Sequence, residues 1–252
     1  MTVVRTEDHP GGVRVLTMDR PPANAINNDL LVDLDAALVS AESDDGVRAV
    51  VLAGAGRFFS GGFDLKAERR MGEEVTAAAV HYKATNRRLL AVTKPTVAMI
   101  NGHCVAGGFV FAMACDHRLA ADARFTIGVN EVSIGAAWPV AAMEIMRTRL
   151  PDHLLSELML GAGLYPSSEA VRLGLAHRLV PVADLASEAL SLATRLGSHP
   201  AEVYADTKAR LVGDALARID AATLEDDLAI SALWSTESSR AARREHLDRN
   251  LS

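Results

Sequence analysis

The sequence predicts an α/β protein: short parallel strands alternating with helices to about residue 195, followed by a helical C-terminal piece. Three observations carry this. Short apolar, β-branched runs such as VRVLTM (13–18) and VRAVVLA (47–53) are separated by segments of helical spacing. Beyond residue 140 the periodicity is almost wholly helical, and from Pro200 onward it is helical and rich in charge. The 252-residue chain is 49% hydrophobic and 23% charged, enough to bury one large core and to exclude intrinsic disorder.

Taken in order, 13–18 reads as a strand, and after RPPANAIN the segment 29–43 places Leu30, Leu31, Leu34, Ala37, Leu38 and Ala41 on one helical face. Residues 47–53 read as a buried strand ending at Gly54, and Pro95 opens a second such run, TVAMI, that stops at Asn101-Gly102. Strands separated by helices favour parallel βαβ units, with ligands at the strand C-termini. Segments 140–149, 151–160, 167–174 and 183–196 carry helical spacing, with HRLV (177–180) the single strand between them. The terminal helical piece has an apolar face that needs a partner surface, which points to self-association.

Composition excludes several functions. A net charge of −6 with no Lys/Arg block argues against a nucleic acid or an anionic membrane held by a basic face. No apolar run reaches the ~20 residues of a membrane span, and no signal peptide is read at the start, so the expected location is cytoplasmic. Cys104 and Cys115 sit among apolar neighbours and read as buried thiols. HExxH and CxxC are absent and the eight histidines are scattered, so no metal is expected.

Two glycine-rich stretches carry the chemistry. AGAGRFFSGGFDLK (53–66) is neither a dinucleotide fingerprint nor a P-loop, but its Gly61-Gly62 turn leaves the backbone N–H of Phe63 free to face a ligand. KPTVAMINGHCVAGGFVFAMACD (94–116) is a strand, a turn and a glycine pair opening an apolar helix. The first N–H groups of such a helix lack intrahelical partners and sit at the positive end of its dipole. The N–H of Gly107 paired with that of Phe63 makes a two-donor pocket for a negatively charged oxygen. Close helix packing explains the same glycines, and spacing alone divides the two readings about evenly.

RPPANAIN, GRFFSGGFDLK, KPTVAMINGHCVAGG with FAMACDHRLAA, and FTIGVNEVSIG, in this order and at this spacing, resemble the enoyl-CoA hydratase/isomerase (crotonase) superfamily over roughly residues 3–195. The resemblance implies a right-handed spiral of ββα turns over 1–195 and a C-terminal helical oligomerisation region, 196–252, that builds trimers, often paired into hexamers. It implies an enzyme of fatty-acid metabolism acting on an acyl-CoA thioester, with no cofactor beyond the coenzyme A of the substrate. The thioester oxygen is implied to sit between the Phe63 and Gly107 amides. Matching positions for coenzyme A contacts are Ala23 and Ala25, with Gly62, Asp64 and Leu65 beside the oxyanion donor; Lys66 is a candidate for a coenzyme A phosphate.

Hydratases of the superfamily use two glutamates. Here the first falls on Val110 and only the second, Glu131, is present. Hydration needs a water held and deprotonated while the α-carbon gains a proton. Shifting a double bond from C3 to C2 needs one base to move one proton across a dienolate. The single glutamate, with Asn-Glu in place of Pro-Glu, is similar to the Δ3,Δ2-enoyl-CoA isomerases. Val129, Val132, Ile134 and Trp138 are expected to surround Glu131 and raise its pKa, and Asn130 to orient it or serve the turn. The ring of Phe63, with Trp138 and Met143, is a candidate for the acyl pocket or for plain core, while Asp116 and His117 are expected to satisfy buried backbone. A hydratase and a non-catalytic acyl-CoA-binding protein are the competing readings.

Overall fold

The computed structural model describes residues 2–65 and 74–251. The chain opens with β1 (Val4–His9) and β2 (Val13–Met18), an antiparallel hairpin. β1 carries four exposed residues and forms the sheet edge, where charge discourages pairing with another chain. Then comes α1 (Asn28–Ser43), N-capped by Asn27, whose side chain accepts from the Leu30 N–H at 3.0 Å. Leu30, Leu31, Leu34, Leu38 and Ala41 are buried, the face expected from the spacing.

From there each turn of chain lays down one strand in each of two sheets and then a helix. The first turn is β3 (Ala49–Gly54), β4 (Phe58–Ser60) and α2 (Glu74–Ala91); the second is β5 (Thr96–Ile100), β6 (His103–Val105) and α3 (Gly107–Ala114). The third is β7 (His117–Asp122), β8 (Thr126–Gly128), a 3-10 turn at Val132–Ile134, and α4 (Val140–Arg149). The strands β3, β5 and β7 are parallel neighbours, with Leu52 opposite Ala98 and Ala98 opposite Arg118. β4, β6 and β8 are parallel neighbours in the smaller sheet. β3 and β5 are buried almost throughout, which is why they read as continuous apolar runs.

A short helix α5 (Asp152–Leu155) runs into a π-helical turn at Ser156–Leu160, and β9 (Leu164–Pro166) closes the small sheet antiparallel to β8. The helix expected over 167–174 does not form: a single 3-10 turn at Ser167–Glu169 gives way to irregular turns ending at Gly174, whose φ is +71°. β10 (Arg178–Pro181) completes the large sheet in the order β1-β2-β3-β5-β7-β10. The helices α6 (Leu185–Gly197), α7 (Ala201–Ala221), α8 (Leu224–Trp234) and α9 (Glu237–Leu251) follow.

The C-terminal helices are less of an appendage than their sequence suggests. α7 buries Lys208, Val212, Ala215 and Ile219 against its own chain. Lys208 is 5% exposed and its Nζ lies 2.9 Å from the Asp116 carboxylate, which also accepts from the Tyr204 hydroxyl (3.0 Å) and the Thr96 N–H (3.0 Å). Asp116 therefore serves buried backbone, as its position suggested, and fastens α7 to the core. These ionic and hydrogen-bonded partners hold its carboxyl below the usual carboxylate range in spite of burial. Both cysteines are buried free thiols.

Candidate active site

The small sheet explains where the site lies. β4 pairs with β6 and β6 with β8, all parallel, so the segments leaving their C-terminal ends emerge side by side. Those segments are Gly61–Leu65, Ala106–Gly107 and Asn130–Glu131.

The first is held by a parallel bridge between Ile26 and Phe63: the Ile26 N–H donates to Gly62 O (2.8 Å) and the Asp64 N–H to Ile26 O (2.9 Å). This pattern turns the N–H of Phe63 to the opposite side, and no acceptor for it occurs among the described residues. Gly62 has φ +81°, and a Cβ there would lie 2.8 Å from the Ala106 Cβ and 3.4 Å from the Gly107 nitrogen. Only glycine allows both that backbone conformation and that approach. Gly107 is the first residue of α3, where its N–H has no intrahelical partner. A Cβ at Gly107 would sit 3.1 Å from Ile26, 3.2 Å from the Tyr82 hydroxyl and 3.5 Å from the Phe63 ring, so the two amide-bearing loops are packed together. Ala106, which caps the helix, holds φ 53° and ψ −132°, a conformation that costs a non-glycine residue about 1–3 kcal/mol and persists where the surroundings impose it. The next glycine is a packing requirement: Gly108→Ala brings a Cβ within 2.6 Å of Ser60. We expect it to lower stability by about 1–3 kcal/mol in chemical denaturation.

Glu131 lies at the start of the 3-10 turn and is 7% exposed. Its carbonyl accepts from Ile134 (3.1 Å) and Ala136 (2.8 Å), which fixes the turn. Burial pushes its carboxyl from 4.5 up to about 7, although its own N–H and that of Asn130, 3.0 Å from Oε2, pull the other way. Asn130 thus steadies the carboxylate through its backbone, while its buried side-chain oxygen has no hydrogen-bond partner among the described residues. Val129 is buried, and Ile134 packs into the cavity that Glu131 also lines. Val132 does not: it is 47% exposed, because the tight turn points residues 129, 131 and 134 inward and 132 outward.

Phe63, Gly107 and Glu131 line one cavity of about 50 Å³, together with Tyr82, Trp138 and Trp234. Leu65 also lines it. Trp138 is therefore a cavity residue, while Met143 packs against the core. Tyr82, Trp234 and His246, which carry no local sequence signal, reach the cavity from α2, α8 and α9. Burial and the neighbouring Glu131 carboxylate push the Tyr82 hydroxyl far up, so it stays protonated.

Ala23 and Ala25 are half-buried on a loop beside the cavity, flanking Asn24, which is buried at φ 48°. The Asn24 side chain donates to Ala55 O (2.9 Å) and Phe58 O (2.8 Å), while Ala23 O accepts from the Gly61 N–H (2.9 Å). Arg20, not singled out from the sequence, joins the Ala25 carbonyl (3.1 Å) to the Asp64 carboxylate (2.7 Å). The five positions Ala23, Ala25, Gly62, Asp64 and Leu65 therefore form one rim. Lys66 lies outside the described residues.

Two unpaired amides beside a single buried carboxylate can stabilise an oxyanion while one proton moves. A family model described as enoyl-CoA hydratase/isomerase matches residues 8–249. The chain belongs to that family. It is 32% identical over 228 residues to a putative enoyl-CoA hydratase of Thermus thermophilus, covering 88% of this chain and 87% of the relative. It is 31% identical over 210 residues to the human mitochondrial enoyl-CoA delta isomerase 1, covering 81% of this chain and 68% of that protein. The crystal structure of human mitochondrial delta3-delta2-enoyl-CoA isomerase superposes with a TM-score of 0.89 at 27% identity, over 98% of this chain and 97% of that one. The fold is thus the crotonase spiral with its C-terminal helical region, and the protein is an acyl-CoA enzyme of the hydratase/isomerase family. Hydratase names are the more common among its relatives.

Proposed function

We propose that the enzyme shifts the double bond of a 3-enoyl-CoA to 2-enoyl-CoA. Glu131 carries the reading: it is the one carboxylate among the described residues lining the cavity, and buried Val110 stands where hydratases of the superfamily place the first of their two glutamates. The thioester oxygen sits between the N–H groups of Phe63 and Gly107, each worth about 3–4 kcal/mol to the dienolate if it acts like other oxyanion-hole donors. Glu131 takes the α-proton, acidified by the thioester and the alkene, and returns the same proton to the γ-carbon. No second acid or base is required. The Ala23–Ala25 loop with Gly62, Asp64 and Leu65 receives the coenzyme A portion, and no separate cofactor takes part. Assembly into a trimer or a pair of trimers belongs to the same reading, supported by exposed Leu211, Leu228 and Leu233 on α7 and α8; sedimentation tests it.

The deciding assay supplies 3-enoyl-CoA and, separately, 2-enoyl-CoA, following conjugated thioester and 3-hydroxyacyl-CoA. Isomerisation that persists in Val110→Ala supports the proposal. Efficient hydration of the 2-enoyl thioester would favour the hydratase suggested by the names of many relatives, and binding with no turnover would favour a non-catalytic acyl-CoA protein. The pH profile is a further check. Glu131 acts as the ionised base, so kcat/KM for isomerisation is expected to rise with pH through about 7 and level off above it.

A further inference from the structure

We propose that Trp234 is the specificity-determining wall of the acyl pocket and restricts the enzyme to short acyl chains. The inference rests on the acyl-CoA reading of the site but not on which reaction occurs there. Ala23 and Ala25, proposed to receive the coenzyme A portion, do not line the cavity. Besides the amide-bearing loops and Glu131, the cavity is lined by Ile134, Ala136, Trp138 and Trp234. Its volume, about 50 Å³, has room for only a few water-sized groups at ~10–15 Å³ each, which suits a short acyl chain.

Trp234 is half-buried and held by three neighbouring segments. Its indole N–H donates to the Ala137 carbonyl at 2.8 Å, wedging the ring against the segment that carries Ala136 and Trp138. Its ring meets Phe63 edge to face, with centroids 5.8 Å apart at 89°. Arg243 of α9 lies 5.9 Å from the ring centroid and donates to both the Trp234 carbonyl and the Gly135 carbonyl, the latter at 3.1 Å. α9 also sits directly on that turn: a Cβ at Gly135 would come within 2.5 Å of the Ser239 Cα. A side chain braced by two helices and a turn does not swing aside for a longer ligand at low cost.

The test is calorimetric binding of saturated butyryl-, hexanoyl- and decanoyl-CoA, which undergo neither isomerisation nor hydration. Wild-type protein is expected to bind butyryl-CoA at least about tenfold more tightly than decanoyl-CoA. Trp234→Ala and Trp234→Leu are expected to move that ratio about tenfold or more toward decanoyl-CoA, because each newly buried methylene adds affinity. Trp234→Phe keeps the bulk and is expected to keep the short-chain preference. Wild-type affinity that is independent of chain length, or increases with it, overturns the proposal, as does an unchanged ratio in folded Trp234→Ala or Trp234→Leu protein. If length preference is found without isomerase turnover, the proposed reaction fails and the wall stands; turnover with length-blind binding gives the reverse.

Discussion

Glu131→Gln is expected to lower the isomerisation rate by about 10²–10⁴-fold or more, while acyl-CoA affinity changes only slightly. The amide has nearly the shape of the carboxyl and leaves the Phe63 and Gly107 donors in place, so the loss falls on kcat. The same substitution is expected to stabilise the fold at alkaline pH. The folded-state pKa of Glu131, about 7, lies above its ordinary value of 4.5. Its contribution is therefore intact below about pH 4.5 and is lost as pH rises through 7, amounting to about 3 kcal/mol by pH 8. Glutamine carries no such charge to bury. Thermal melts at pH 5 and pH 8 should show the variant gaining on the wild type far more at the higher pH. A residue whose removal costs activity and adds stability is kept for its chemistry.

Lys208→Met is expected to be the most damaging single change away from the cavity. It removes the ammonium from a buried pair and leaves Asp116 with the more distant Arg149, at 3.3 Å. Breaking such a pair costs about 3–5 kcal/mol, because one charge stays buried without its partner. In a chain of this size that corresponds to a melting temperature lower by roughly 10 °C. Asp116→Asn combined with Lys208→Met should recover much of the loss, since a neutral pair has no charge to desolvate. A double variant as unstable as the single one would mean that Lys208 acts by packing its stem and not by its charge.

How much was readable in the sequence depends on how local each signal is. The Gly61-Gly62 turn, the glycines opening α3 and the glutamate after FTIG are written in consecutive residues, and the structure brings their segments together. The strands β4, β6 and β8 were hidden inside the same motifs. Three residues such as FFS or HCV show no measurable period, and they pair only because β3, β5 and β7 have already been stacked by burial. Tyr82 and Trp234 are harder still, since which face of α2 or α8 meets the cavity is decided by how those helices dock. Val132 shows the converse: an apolar residue beside the base was read as its neighbour, and a turn of three residues faced it outward.

Because the cavity takes Phe63 from the loop after β4 and Trp234 and His246 from α8 and α9, its walls join segments nearly two hundred residues apart in sequence. The base and both amides lie before residue 132, and one wall of the chamber lies after residue 233. The helices α8 and α9 therefore close a chamber whose reactive groups all lie on earlier turns of the chain, so enclosure and chemistry are supplied by separate parts of the fold.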